Sequence, residues 1–87
     1  MLTALVLICS LSATPDIRDC SQYTAQDVIR LSIETGHPGH CAMMGEAFVA
    51  ATELGRSLGP DDALKVVCAP SARVTARARL WDVSSGR

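Results

Sequence analysis

Residues 2–11 read LTALVLICSL, and the fold depends on how this stretch is taken. It is apolar and rich in Leu and β-branched residues. Its length suits a buried strand or the core of a signal peptide and is too short to cross a bilayer, so no transmembrane segment is expected. Three features weigh against a signal peptide. No Lys or Arg precedes the apolar core, cleavage after Ala13 would put Leu11 where a small residue is wanted, and Ile8 precedes Cys9 where a lipoprotein site needs a small residue. Cleavage after Ser12, with Ser10 behind it, is a poor alternative. The stretch is read here as a strand, with the signal-peptide core as the competing reading.

Moving outward, TPDIRDCSQYTAQ (14–26) is polar and turn-rich and serves as a long connection. DVIRLSIET then alternates, with Ile29, Leu31 and Ile33 on one side and Arg30, Ser32 and Glu34 on the other, which predicts a half-buried strand over 27–34. Gly36, Pro38 and Gly39 break it. From Cys41 to Leu58 the period becomes helical, placing Met44, Ala47, Phe48, Ala51, Leu54, Gly55 and Leu58 on one face, and Gly59-Pro60 stops the helix. A last strand is predicted over 64–69, with Leu64, Val66 and Cys68 on a common face and Pro70 ending it.

The order is therefore β-β-α-β, an α+β domain spanning residues 1–70. The two strands flanking the helix form a right-handed crossover. The most apolar strand belongs in the middle, so residues 2–11 are placed between the other two and antiparallel to both. This gives a three-stranded sheet of order 2-1-3 covered by one helix, followed by a flexible tail over 71–87. The tail is basic: Arg73, Arg77, Arg79 and Arg87 are half of the eight basic residues, with only Asp82 opposing them, in a chain of net charge −1. Such a tail attracts acidic surfaces, and Arg73, Arg77 and Arg79 are its candidate contact residues. No aromatic residues interleave with them, so nucleic acid is not the expected partner. The tail is also expected to be dispensable for folding.

Four cysteines in 87 residues, Cys9, Cys20, Cys41 and Cys68, are many for a chain whose core is only just large enough. In an oxidising setting an even number suggests two disulfides; in a reducing one, thiols or metal ligands. The protein is accordingly exported or particle-associated if disulfides form and cytoplasmic if the thiols are free. The strand order assigns the pairing. A central antiparallel first strand brings Cys9 to one end of the sheet beside the loop carrying Cys20. The helix start and the end of the last strand meet at the other end, predicting Cys9–Cys20 and Cys41–Cys68.

HPGHC places His37, His40 and Cys41 together at a turn entering the helix. Imidazole and thiolate are good zinc or copper ligands, and a thiolate near a helix N-terminus is stabilised, so a metal site or a redox thiol is one reading. There is no C-x-x-C spacing, and exposed turn histidines beside a structural cysteine account for the same residues. Met43 and Met44 are explained by packing, and Asp61, Asp62, Glu46 and Glu53 are not arranged for acid–base work. Phosphate loops, Ser-His-Asp signals and finger spacings are missing, and a chain this small has little room for a catalytic cleft. No enzyme activity and no cofactor are expected.

TPDIRDC, CAMMGEAF and LKVVC together resemble a group of short uncharacterised bacterial proteins. These carry a strand, a Cys-bearing loop, a Cys-led helix and a Cys-ended strand. The resemblance covers residues 3–69, implies that the apolar start is part of the domain, and implies no activity. The expected function is a small non-catalytic accessory or binding module stabilised by its cysteines, with an unidentified macromolecule, most simply a protein, as partner. The alternative is a small metal-binding or thiol-redox protein using Cys41 with His37 or His40.

Overall fold

A computed structural model describes residues 1–52 and 58–81. Among these residues four strands and one helix follow in the order β1 (Leu2–Ser10), β2 (Asp27–Thr35), α1 (Pro38–Ala51), β3 (Asp62–Pro70) and β4 (Arg79–Trp81). Single 3-10 turns occupy Ile17–Asp19 and Ser71–Arg73. The sheet order is β3-β1-β2-β4. β1 is central among the first three strands and antiparallel to both neighbours. The apolar start is thus a strand within the sheet.

The sheet has four strands rather than the three expected from the sequence. Arg79–Trp81, assigned to a flexible tail, pairs in parallel with β2, setting Trp81 beside Leu31. The reason is the unused outer edge of β2 together with an aromatic anchor. Trp81 meets Phe48 of α1 edge-on, with ring centroids 5.3 Å apart and planes at 74°, a favoured aromatic geometry. Three residues are too few to display a period, so nothing in the sequence pattern announced this strand.

A single helix does not cover this sheet, again because of β1. Its residues are buried on both parities, so each face of the strand needs its own cover. On the helix side, Ala4 and Val6 pack with Ile29, Leu31, Cys41 and Phe48. On the other side, Leu5, Leu7 and Cys9 pack with Cys20, Ala25 and Val28, and Ile17, Val74 and Ala78 close over them. The second cover is therefore the 11–26 connection and the segment after Pro70. Polar bonds hold these two pieces together: Gln22 Nε2 donates to the Arg73 carbonyl at 3.0 Å, and the Thr75 N–H donates to Gln22 Oε1 at 2.7 Å.

The helix starts at Pro38 rather than Cys41. His37 is its N-cap, with the His40 N–H donating to His37 Nδ1 at 3.4 Å, and proline suits the first helical position. Its buried face is Cys41, Gly45 and Phe48, whereas Ala47 and Ala51, expected to face inward, are exposed. Two close approaches set this rotation. Cys41 lies beside Cys68, and Gly45 sits so tightly over Val66 that an added Cβ would overlap Val66 Cγ1. Leu54 and Gly55, also expected on the helix face, lie outside the described residues, and Leu58 is in the connection before β3. Among the described residues no helix is long and apolar enough to cross a membrane.

Candidate functional site

The cysteines are brought together as two pairs at disulfide distance. Cys9 faces Cys20 and Cys41 faces Cys68, each with Cα atoms 6.2 Å apart, inside the range a disulfide can bridge. The first pair ties the 11–26 connection to the centre of the sheet, and the second ties the first turns of α1 to β3. Each staple thus fastens one cover to one face.

His37 and His40 remain at the head of α1, both exposed. His37 caps the helix, and His40 Nδ1 lies 3.4 Å from Thr35 Oγ1. Cys41, the third member of the proposed metal or redox set, is 1% exposed with its sulfur against Cys68. Among the described residues no three His, Cys, Asp or Glu side chains gather as a metal-holding group.

Of the arginines expected to contact a partner, two are used within the chain. Arg77 donates from its guanidinium to the Tyr23 carbonyl at 3.3 Å and the Ala25 carbonyl at 2.8 Å. Arg79 pairs with Asp27 across the β2–β4 edge. Arg73 is exposed at the end of its 3-10 turn. Lys65, the only lysine of the chain, spends its ammonium on the second cover, donating to the carbonyls of Ile17 (3.2 Å), Arg18 (3.3 Å) and Cys20 (2.9 Å). Nothing in the spacing of the sequence pointed to that role.

Two surfaces remain as candidates. One is an apolar groove of about 260 Å³ between α1 and β4, lined by Leu31, Met44, Phe48, Ala51 and Trp81 among others. The other is the outer edge of β3, the strand at the opposite side of the sheet. Its hydrogen-bonding phase follows from the two ends of the β1–β3 ladder. The Ser71 N–H donates to the Met1 carbonyl at 3.0 Å, and the Leu11 N–H donates to the Asp61 carbonyl at 2.7 Å. Odd-numbered residues of β3 therefore turn their backbone groups toward β1, and even-numbered ones turn theirs away, because in an antiparallel pair the two kinds of position alternate. Leu64, Val66 and Cys68 present N–H and C=O groups outward.

Among the described residues this edge lacks the usual protections of an exposed strand. Its register with β1 runs without a bulge from Asp62 to Pro70. Proline occurs only at its last position, and its lysine is committed to the Ile17–Cys20 carbonyls. Every residue from 62 to 69 is only half-buried, although Leu64, Val66, Val67 and Ala69 are apolar and pack on the cores. The edge was implicit in the expected strand order, which leaves the last strand outermost. Its phase and its lack of protection required the structure.

No family model, curated protein or solved structure shows a significant match to the chain. The resemblance carried by the three cysteine-bearing motifs thus finds no counterpart among them.

Proposed function

We propose that the protein is a small non-catalytic binding module or accessory subunit, kept rigid by its two cysteine pairs, which recognises another protein through the open edge of β3. The observation supporting this reading is the nine-residue strand with outward backbone groups at Leu64, Val66 and Cys68 and apolar side chains left half-exposed. Strand addition draws affinity from main-chain hydrogen bonds and specificity from alternate side chains, so it needs no cleft and no reactive group. The cysteine pairing fits an oxidising setting, an extracellular or particle-associated one.

A photo-crosslinking residue in place of Asp62, at the start of β3, tests this in the producing cell. Adduct formation should depend on that position and be absent when the same residue replaces Glu46, which is exposed on the outer side of α1. Equal labelling from both positions, or none from Asp62, rejects the edge as the contact. Elemental analysis and thiol titration of protein purified without chelator test the competing reading. Stoichiometric zinc or copper, or a reactive Cys41, would replace the binding module with a metal or thiol protein using His37, His40 and Cys41.

A further inference from the structure

We propose that the Cys41–Cys68 pair is a thiol-exchangeable switch, opened at Cys68 by a small external thiol while Cys9–Cys20 stays closed. The proposal concerns the staples themselves and is independent of what binds at β3.

The two pairs differ in what surrounds them. Cys9 is 0% and Cys20 2% exposed. Cys9 lies on β1, which has a strand on each side, and Cys20 packs with Leu5, Leu7, Ala25 and Val28. The turn leading into Cys20 is held down by the Lys65 ammonium on the Ile17, Arg18 and Cys20 carbonyls. Both sulfurs of this pair therefore stay out of reach until the second cover lifts. In the other pair only one member is sealed. Cys41 is 1% exposed, whereas Cys68 is half-buried on β3, and among the described residues no strand lies beyond β3.

Direction matters as well as access. A thiolate displaces sulfur in line, so it must meet the attacked sulfur on the side opposite the sulfur that leaves. Cys41 sits in the core cluster with Ala4 and Val6 of β1, and the path from Cys41 to Cys68 runs from that core toward the sheet edge. The side of Cys68 opposite Cys41 is thus the edge side. The external thiolate bonds to Cys68 Sγ, the S–S bond breaks, and Cys41 leaves with its electron pair, then takes a proton from water. It leaves in the first turns of α1, where the helix dipole favours negative charge. A second thiol attacks the external sulfur of the mixed disulfide and releases Cys68, so two thiols are oxidised to one disulfide as the protein pair is reduced. The head of α1 is then freed from β3, while the Phe48–Trp81 contact and the Cys9–Cys20 staple remain. Selectivity is a matter of rate, because Cys41–Cys68 closes the longer loop and is the more stabilising pair at equilibrium. Cys9–Cys20 opens only as often as the second core does.

The test uses the full oxidised chain and reduced glutathione at neutral pH. Samples quenched at intervals are alkylated, digested without further reduction and mapped by mass. Cys41–Cys68 should open at least about tenfold faster than Cys9–Cys20, a barrier difference of about 1.4 kcal/mol. The rate should rise in proportion to glutathione, and in early samples the trapped glutathione should sit on Cys68. Equal rates, or Cys9–Cys20 opening first, overturn the proposal. A rate independent of glutathione also overturns it, because unfolding would then precede attack. Glutathione trapped on Cys41 rather than Cys68 rejects the edge-side approach, and four free thiols in the isolated protein reject the switch.

Discussion

At the scale of single residues, two positions hold the covers onto the sheet. Gly45 allows α1 to rest directly over Val66, where an added Cβ would overlap a Val66 methyl. Gly45→Ala should therefore destabilise the protein by about 1–3 kcal/mol despite alanine's better helix propensity, because overpacking outweighs the roughly 1 kcal/mol of backbone gain. Urea denaturation measures this, and Gly45→Ala combined with Val66→Ala should recover part of the loss. On the other face, Lys65 satisfies three carbonyls of the 17–20 turn. Lys65→Met keeps the aliphatic stem but orphans those acceptors, and a loss of about 1–3 kcal/mol is expected. The turn itself depends on pH. Arg18 donates to Asp16 from its guanidinium and from its backbone N–H, and these bonds hold the Asp16 carboxyl below its ordinary value of 3.8. A carboxylate depressed in the folded state contributes stability above its unfolded value and loses it as pH falls through the folded one. Acid below about pH 4 should thus loosen the Ile17–Asp19 turn, read as a lower protection factor of the Arg18 amide relative to its intrinsic exchange rate at the same pH, and Asp16→Asn should already show lower protection at neutral pH.

At the scale of elements, the segment after Pro70 decides whether the domain is complete. Val74 and Ala78 close the second core, and Trp81 closes the first against Phe48. A chain ending at Pro70 should lose about 3 kcal/mol or more, lowering Tm by roughly 10–25 °C. A truncated protein that melts like the full chain would restore the reading of 71–87 as a dispensable tail. The contrast between what the sequence displayed here and what it concealed has a physical cause. β2 alternates from Ile29 to Glu34, and Ile29 and Leu31 are buried as that alternation requires. β1 is almost wholly apolar, so its centrality was legible, and from it followed the order of the first three strands and both cysteine pairs. The same lack of alternation signals a second apolar face, but the residues covering that face are scattered through Ile17, Cys20, Ala25, Val74 and Ala78. No period joins them. They meet through the Cys9–Cys20 pair, through packing on Leu5 and Leu7, and through Gln22, Lys65 and Arg77, which bind backbone carbonyls far away in the chain. The proposed contact edge was half legible, since an outermost β3 was expected, whereas the outward phase of Leu64, Val66 and Cys68 depends on the terminal bonds at Ser71 and Leu11.

At the scale of the whole molecule, 87 residues must hold a sheet with a cover on each face, and the two cysteine pairs divide that work. The Cys41–Cys68 pair closes a separation of 27 residues and anchors α1, while Cys9–Cys20 closes 11 and anchors the connection on the second face. In the chain-entropy model these closures stabilise by about 3.5 and 2.8 kcal/mol. Their total is comparable with the entire stability of a domain of this kind, about 5–15 kcal/mol. Replacing Cys41 and Cys68 together by alanine should therefore cost more than replacing Cys9 and Cys20, by roughly 0.8 kcal/mol from loop length alone. Full reduction should abolish cooperative unfolding. Trp81 fluorescence separates the outcomes at element level, because it sits against α1, the cover that Cys41 holds. Loss of the Cys41–Cys68 pair should lower the Trp81 transition, whereas loss of the Cys9–Cys20 pair should first expose the second core to hydrogen exchange at Val28 and Ala25. Equal costs for the two replacements would show that native-state strain or residual structure in the unfolded chain, rather than loop closure, sets the value of each pair. A fully reduced protein that still melts sharply would show that the two cores fold without staples.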